Sequence, residues 1–140
     1  YNKYFYGDTN AISGVEVARA LNEDPNKVFK TLVTIAKSKR NYVFMIPVEK
    51  ELDFKKCAQS VNEKSIEMIQ QKDLLLLTGY VHGGCSPIGL KKPFKVVIEK
   101  SAKDFNEIIF SGGKIGYQVE VELKDLEKVI DCKFDDIVKE

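Results

Sequence analysis

The spacing of apolar residues changes period several times along the chain, and each change marks a predicted element. Residues 1–6 are rich in aromatics and read as an extended edge segment, closed by the polar turn Gly7-Asp8-Thr9-Asn10. Ser13 and Glu16 stand three apart, as a capping box requires, and Val15, Ala18 and Leu21 recur at helical intervals, which predicts a short amphipathic helix. Asp24-Pro25 suits an N-cap and first helical residue for one further turn. From 28 to 36, β-branched and apolar residues interrupted by Lys30, Thr31 and Thr34 predict a strand. Residues 42–47 are a second, and the basic turn at 37–41 joins the two as a hairpin expected near the centre of the sheet. Asp53 is placed to cap a helix to about residue 61, with Phe54, Cys57, Ala58 and Val61 on its buried face.

Further on, 65–69 reads as a short strand and 72–78 as a helix stopped by Gly79. Residues 94–99, 107–110 and 117–122 have strand character, with Ser111-Gly112-Gly113-Lys114 as a turn between the last two. A closing helix over 124–130 turns Leu126, Val129 and Ile130 to one side, and the tail from 132 to 140 has no assigned conformation. Strands interspersed with helices, without repeats or low-complexity tracts, place the chain in the α+β class.

Composition narrows the class. One hundred and forty residues suit one domain with a sizeable core, so a single domain is expected over 1–140. With 22 basic against 21 acidic residues, the chain is no polycation, so a nucleic-acid partner has to be met by a local patch. Cys57, Cys85 and Cys132 are odd in number and widely spaced, which argues against a disulfide framework and against a structural zinc site. A reducing, cytoplasmic setting and no metal or other cofactor are therefore expected. Apolar runs fall short of a membrane span and the start is not signal-like, so no membrane partner is expected.

Candidate chemistry concentrates in residues 79–92, where Gly83, Gly84, Gly89 and Pro87 shape a loop directly after the run Leu74-Leu75-Leu76-Leu77. Glycines able to take φ > 0 let backbone amides converge on a phosphate or an oxyanion without a charged side chain. Cys85 and His82 form the one Cys–His pairing the chain offers, but a catalytic pair needs hydrogen-bond reach that a three-residue separation on a glycine loop does not impose. Loop filling by Cys85, with His82 as a rim histidine, is the better reading. Lys30 interrupts an apolar strand; on periodicity alone it is a solvent-side lysine.

Three blocks alter that balance: Val28-Phe29-Lys30-Thr31-Leu32-Val33, Gly83-Gly84-Cys85-Ser86-Pro87-Ile88-Gly89 and Ser111-Gly112-Gly113-Lys114-Ile115-Gly116. In this order they resemble the YbaK-type Cys-tRNA(Pro) deacylases of the prolyl-tRNA editing superfamily, over about residues 4–130. The resemblance implies a mixed, partly closed β-sheet flanked by helices, and a helix ahead of Tyr1 that this chain is expected to lack. It further implies that Lys30 contacts the aminoacyl end of the tRNA, with Thr31 supporting, and that the main chain at Gly83 and Gly84 binds the aminoacyl group within a loop shaped by Ser86 and Pro87. Ser111 and Gly112 then supply a second pocket wall, Tyr4 the rim, and Gln118 stands where many relatives carry an acidic residue. Lys30 and Gly84 are the implied catalytic positions. Lys37, Lys39, Arg40, Lys91 and Lys92, read as flanking the pocket elements, are candidates for tRNA phosphates.

The function implied is a trans-editing hydrolase that removes cysteine from tRNA(Pro), and from tRNA(Cys) as a further substrate, with prolyl-tRNA synthetase as a candidate partner. Attack comes from the substrate's own thiol or from water. An aminoacyl ester is already activated, so positioning and oxyanion stabilisation suffice and no triad is needed. The alternative is a non-catalytic module that binds aminoacyl-tRNA or a synthetase through the same loops.

Overall fold

In a computed structural model the described residues are 2–5, 26–70, 73, 94–111 and 117–140, with the backbone alone fixed at 2–5 and 117. Five strands form one sheet: β2 (Phe29–Ala36), β3 (Asn41–Pro47), β4 (Ile66–Met68), β5 (Lys95–Glu99) and β8 (Cys132–Asp135), in the order β4-β2-β3-β5-β8. β2 pairs antiparallel with β3 and β4, whereas β3 and β8 both run parallel to β5, so the sheet is mixed as expected. Three more strands, β1 (Asn2–Phe5), β6 (Glu107–Ser111) and β7 (Tyr117–Glu122), form an antiparallel sheet in the order β1-β7-β6. Two helices, α1 (Phe54–Ser60) and α2 (Leu123–Val129), and a 3₁₀ turn at Lys100–Asp104 complete the described elements.

Alternation along β2 and β3 separates two apolar clusters. Phe29, Val33, Val43 and Met45 point to one face and pack with Val96, Ile98, Ile108, Phe110 and Leu126, which ties the two sheets together. Ala36, Tyr42, Phe44 and Ile46 point to the other, where Leu52, Cys57, Ala58 and Ile137 cover them. β3 is buried on both faces, hence its nearly unbroken apolar sequence.

The sheets also meet through the backbone. β4 pairs only with Thr34, Ile35 and Ala36, and no other described strand forms a ladder along the first half of that β2 edge. There Val28 forms a parallel bridge to Ile109, with the Ile109 amide donating to the Lys27 carbonyl at 3.0 Å. This bridge joins the two sheets and gives the partly closed arrangement.

The α1 cap forms as its sequence predicts: an Asp53 carboxylate oxygen accepts from the Lys55 and Lys56 amides at 3.0 and 3.1 Å. Two readings need correction, and the tail from 132, to which the sequence assigned no conformation, has a defined one. Phe54 and Val129 stand 40% and 63% exposed instead of packing inward. Both helices are only seven residues long, too short for a second full apolar stripe, and Leu126 alone of the α2 side chains is buried. The tail from 132 is not irregular: it forms β8 and then bridges Val138 to Leu52. The helices expected over 13–21 and 72–78 lie outside the described residues, apart from Asp73.

Because the Asp53 side chain answers two amides that have no other partner in the first turn, Asp53→Ala should destabilise the protein by about 1 kcal/mol and lower Tm by about 3 °C. Thermal unfolding followed by circular dichroism checks this, and an unchanged Tm would remove the cap from the account of α1.

Candidate active site

Side chains on a strand alternate, so Lys30 shares a face of β2 with Val28 before it and Leu32 after it. Lys30 lies directly opposite Ile46 on β3. On one flank of this pair, Val28 packs with Val48 and Ile109; on the other, Ile46 and Leu32 join the cluster around Leu52 and Cys57. An ammonium held in the gap between two apolar clusters loses part of its hydration. Burial accordingly pushes the Lys30 pKa below the ordinary lysine value, and the field of the Glu51 carboxylate partly opposes that shift.

The register carries the same face across the second sheet. Val28 and Ile109 bridge in parallel and pack together, while Phe29 and Phe110 share the opposite face. Two residues on from the bridge in each strand, the corresponding positions are Lys30 and Ser111. Ser111 is paired with Gln118 on β7, and Gln118 with Tyr4 on β1. Four residues singled out by the sequence therefore occupy one row across β2, β6, β7 and β1. Ser111 and Gln118 are buried at 8% and 7% exposure, and the Gln118 side-chain oxygen has no hydrogen-bond donor among the described residues. A buried amide oxygen without a donor is a place for a ligand's N–H or O–H.

One step along the row, Glu120 is buried opposite Ile109 and forms an ion pair with Lys27. Strand alternation in 117–122 marks Glu120 as polar-facing, but the burial of that face comes from β2, more than ninety residues earlier in the chain, and no local signal carries it.

Four other described candidates are not brought to the row. Thr31 faces the opposite side, with Phe29 and Val33, and its buried hydroxyl has no partner among the described residues. Lys37, Lys39 and Arg40 are exposed on the β2–β3 hairpin. They do not flank the row: Lys37 lies seven residues beyond Lys30 along an extended strand, about 23 Å away. Gly83, Gly84, Ser86, Pro87, Lys91, Lys92 and Gly112 lie outside the described residues, as do His82 and Cys85. Cys57 is fully buried in α1, and burial pushes its thiol up to about 12, which leaves no thiolate for chemistry. Among the described residues no three His, Cys, Asp or Glu side chains converge as a metal site would need, and no helix is long and apolar enough to cross a membrane.

Residues 9–129 match the model of the aminoacyl-tRNA editing domain family. Among curated proteins, the chain is 41% identical over 122 residues to EbsC of Enterococcus faecalis, a proposed Cys-tRNA(Pro)/Cys-tRNA(Cys) deacylase, covering 86% of this chain and 74% of EbsC. It is 24% identical over 105 residues to the proline–tRNA ligase of Lactobacillus helveticus, covering 75% of this chain and 18% of the ligase. Among solved structures, a proposed trans-editing enzyme for prolyl-tRNA synthetase superposes with a TM-score of 0.88 at 19% identity, covering 99% of this chain and 87% of that one. That likeness establishes the fold.

The lowered pKa of Lys30 makes a prediction about stability. The unfolded chain holds the Lys30 proton more tightly than the folded one, so protonation opposes folding. The penalty is present in full below the folded-state pKa and disappears as pH rises past the unfolded value near 10.5. Lys30→Met should therefore raise Tm by about 2 °C near neutral pH, with the gap closing toward about pH 11. A lower Tm for the variant at neutral pH would show that Lys30 is not held at a cost.

Proposed function

Because the chain belongs to the aminoacyl-tRNA editing domain family, we propose that it is a trans-editing deacylase that hydrolyses the ester of Cys-tRNA(Pro), and of Cys-tRNA(Cys) as a second substrate. The observation that carries the reading is Lys30, a partly desolvated ammonium two residues beyond the bridge that joins β2 to β6, on the face of the buried Ser111–Gln118 pair, with Tyr4 next in register on β1. In such a setting an ammonium is worth more to a developing oxyanion than it would be in water, because it is already oriented and the surroundings screen it less. Lys30 holds the ester carbonyl, the main chain at Gly83 and Gly84 binds the aminoacyl group, and Gln118 accepts a hydrogen bond from it. Ser86, Pro87 and Gly112 shape the surrounding loops.

None of these groups has to act as a nucleophile. The attacking atom is the cysteine thiol of the substrate or a water molecule, and the two are separable: a thiol mechanism leaves Ala-tRNA(Pro) intact, whereas a water mechanism hydrolyses it. The reaction runs in the cytoplasm, where tRNA is charged. Lys37, Lys39 and Arg40 on their exposed hairpin, together with Lys91 and Lys92, meet tRNA phosphates, and discrimination among tRNAs is shared with prolyl-tRNA synthetase. The weak similarity to a proline–tRNA ligase supports that partnership.

Deacylation of preformed Cys-tRNA(Pro), Ala-tRNA(Pro) and Pro-tRNA(Pro) tests the reading. Turnover of Cys-tRNA(Pro) with Pro-tRNA(Pro) spared is expected, and binding without turnover would make the protein a non-catalytic module. In single-turnover experiments Lys30→Ala should lower the rate by about 10²–10³, as loss of one oxyanion donor does, while binding of uncharged tRNA changes little. Lys30→Arg should also be impaired, since a planar fork does not occupy the place of a compact ammonium. Cys85→Ala should keep most activity. Loss of turnover by orders of magnitude in a folded Cys85→Ala protein would instead identify an enzyme thiol as the nucleophile.

A further inference from the structure

The β2–β3 hairpin carries a cation where its backbone favours a glycine. The Ala36 amide donates to the Arg40 carbonyl at 2.8 Å and the Lys39 amide to the Ala36 carbonyl at 2.9 Å, which closes a three-residue loop over 37–39. The third residue of such a loop lies in the left-handed region, and Lys39 does so at φ 73°. Glycine takes that conformation without a crowded Cβ. A lysine held there bears a local strain, and what it adds over glycine is a charged side chain at the tip of the loop.

The tip is also fixed from the side. The Glu63 amide donates to the Ala58 carbonyl of α1 at 2.9 Å, and the turn after that helix brings the Glu63 carboxylate to the hairpin, where it accepts from the Tyr42 hydroxyl at 2.5 Å and from the Ser38 hydroxyl at 3.0 Å. The Lys37 amide donates to the Ser65 carbonyl at 3.3 Å. These bonds draw a strip of exposed cations together. Lys64 follows Glu63, Lys37, Lys39 and Arg40 make up the hairpin turn, and Lys95 opens β5 directly opposite Tyr42. Two exposed carboxylates, Glu67 of β4 and Asp131 ahead of β8, stand at the same end of the sheet, one towards each side of the strip. Glu63 itself cancels one positive charge, so its place among these lysines calls for a structural reason.

We propose that the β2–β3 hairpin, flanked by Lys64 and Lys95, is a prebuilt surface for the phosphates of an RNA backbone, and that Glu63 is its positioning residue, holding the loop through Ser38 and Tyr42. RNA as the partner rests on the deacylase reading; the geometry of the loop does not. Lys37 stands about 23 Å from Lys30 along β2, too far to touch the ester and a distance that RNA leading away from a bound aminoacyl end spans. Ammonium groups on separate side chains, spread over neighbouring backbone segments, suit a row of like charges. Contacts of this sort position RNA without reading its sequence, so the strip adds affinity and no choice among tRNAs.

The test is binding of an uncharged tRNA(Pro) transcript by the full chain, measured by fluorescence anisotropy across a salt series, with Tm recorded for every variant. Lys37→Ala, Lys64→Ala and Lys95→Ala should each weaken binding about three- to tenfold at about 0.1 M salt and flatten the dependence of log K on log salt by about 0.7–0.9. Lys39→Gly should weaken it likewise while Tm stays at or above that of the parent, because glycine relieves the backbone. Tyr42→Phe and Glu63→Ala remove no cation, yet both should weaken binding and flatten the slope, and Glu63→Gln, which keeps an acceptor for the two hydroxyls, should restore it. Charges outside the described residues are common to all the variants and cancel in these differences. Tighter binding by Glu63→Ala would mean that the carboxylate only screens the lysines, and it overturns the positioning role. An absence of binding, or unmoved salt slopes in the lysine variants, overturns the surface. Deacylation of Cys-tRNA(Pro) is followed alongside: turnover intact with unmoved slopes overturns this inference and leaves the deacylase reading standing, whereas slopes that move in a protein without turnover support the surface and overturn the deacylase reading.

Discussion

Everything at the candidate site depends on an incomplete pairing. β4 covers only the last three residues of β2, and along the first half of that edge the described strands meet it at a single parallel bridge, Val28 to Ile109 of β6. One bridge is a weak tie by itself, but three contacts reinforce it. Val48 packs with the bridge residues, Phe29 and Phe110 join the core on the opposite face, and the ion pair between half-buried Lys27 and buried Glu120 spans the same junction. A pair with a buried carboxylate adds little net stability against an apolar replacement, yet removing the lysine strands the carboxylate without its counter-charge. Its value lies in fixing register: a slip of one residue between β2 and β6 would turn Ser111 to the Phe110 side and break up the polar row.

The same junction explains why Lys30 is partly desolvated. A lysine on a strand with one solvated face keeps its ammonium in water, and its long stem allows it to snorkel past apolar neighbours. Here the face is covered on both flanks, by Val28, Val48 and Ile109 on one side and by Ile46, Leu32 and Leu52 on the other. Apolar packing that stabilises the sheet junction therefore disfavours the charged form of the residue between its halves. Stability and chemistry compete at this position, as they commonly do where a site is built into a core.

Local features were legible in the sequence and long-range ones were not. The Asp53 cap, the β2–β3 hairpin and the strand character of 107–110 and 117–122 are written in residues a few positions apart, and each forms, the first of these strands one residue longer than expected. β8 escaped notice because Cys132-Lys133-Phe134-Asp135 has neither an apolar run nor a turn signal, and its strand state is imposed by β5, more than thirty residues earlier. Val129 has the right helical spacing for burial, but α2 ends immediately after it. Lys30 could be singled out only by resemblance, since its periodicity matches that of a surface lysine. Thr31 shows the limit of a block read as a unit: adjacent in sequence to Lys30, it faces away from it. The Lys27–Glu120 pair carried no sequence signal, because its significance arises from a contact between segments far apart in the chain.

The chemistry available to the row follows from its charges. Ser111 and Gln118 carry no ionisable group, and the carboxylate that follows on the same face of β7, Glu120, is balanced by Lys27. Lys30 is therefore the net charge of the described row, and it is positive. Such an environment favours a reaction in which negative charge grows on a bound oxygen. It supplies nothing that would generate a nucleophile from an unactivated alcohol or water, because among the described residues the row contains no imidazole, thiolate or uncompensated carboxylate. A site of this kind suits a substrate that is already activated, and an ester whose amino-acid portion can bring its own nucleophile fits that requirement more closely than an amide or a phosphodiester.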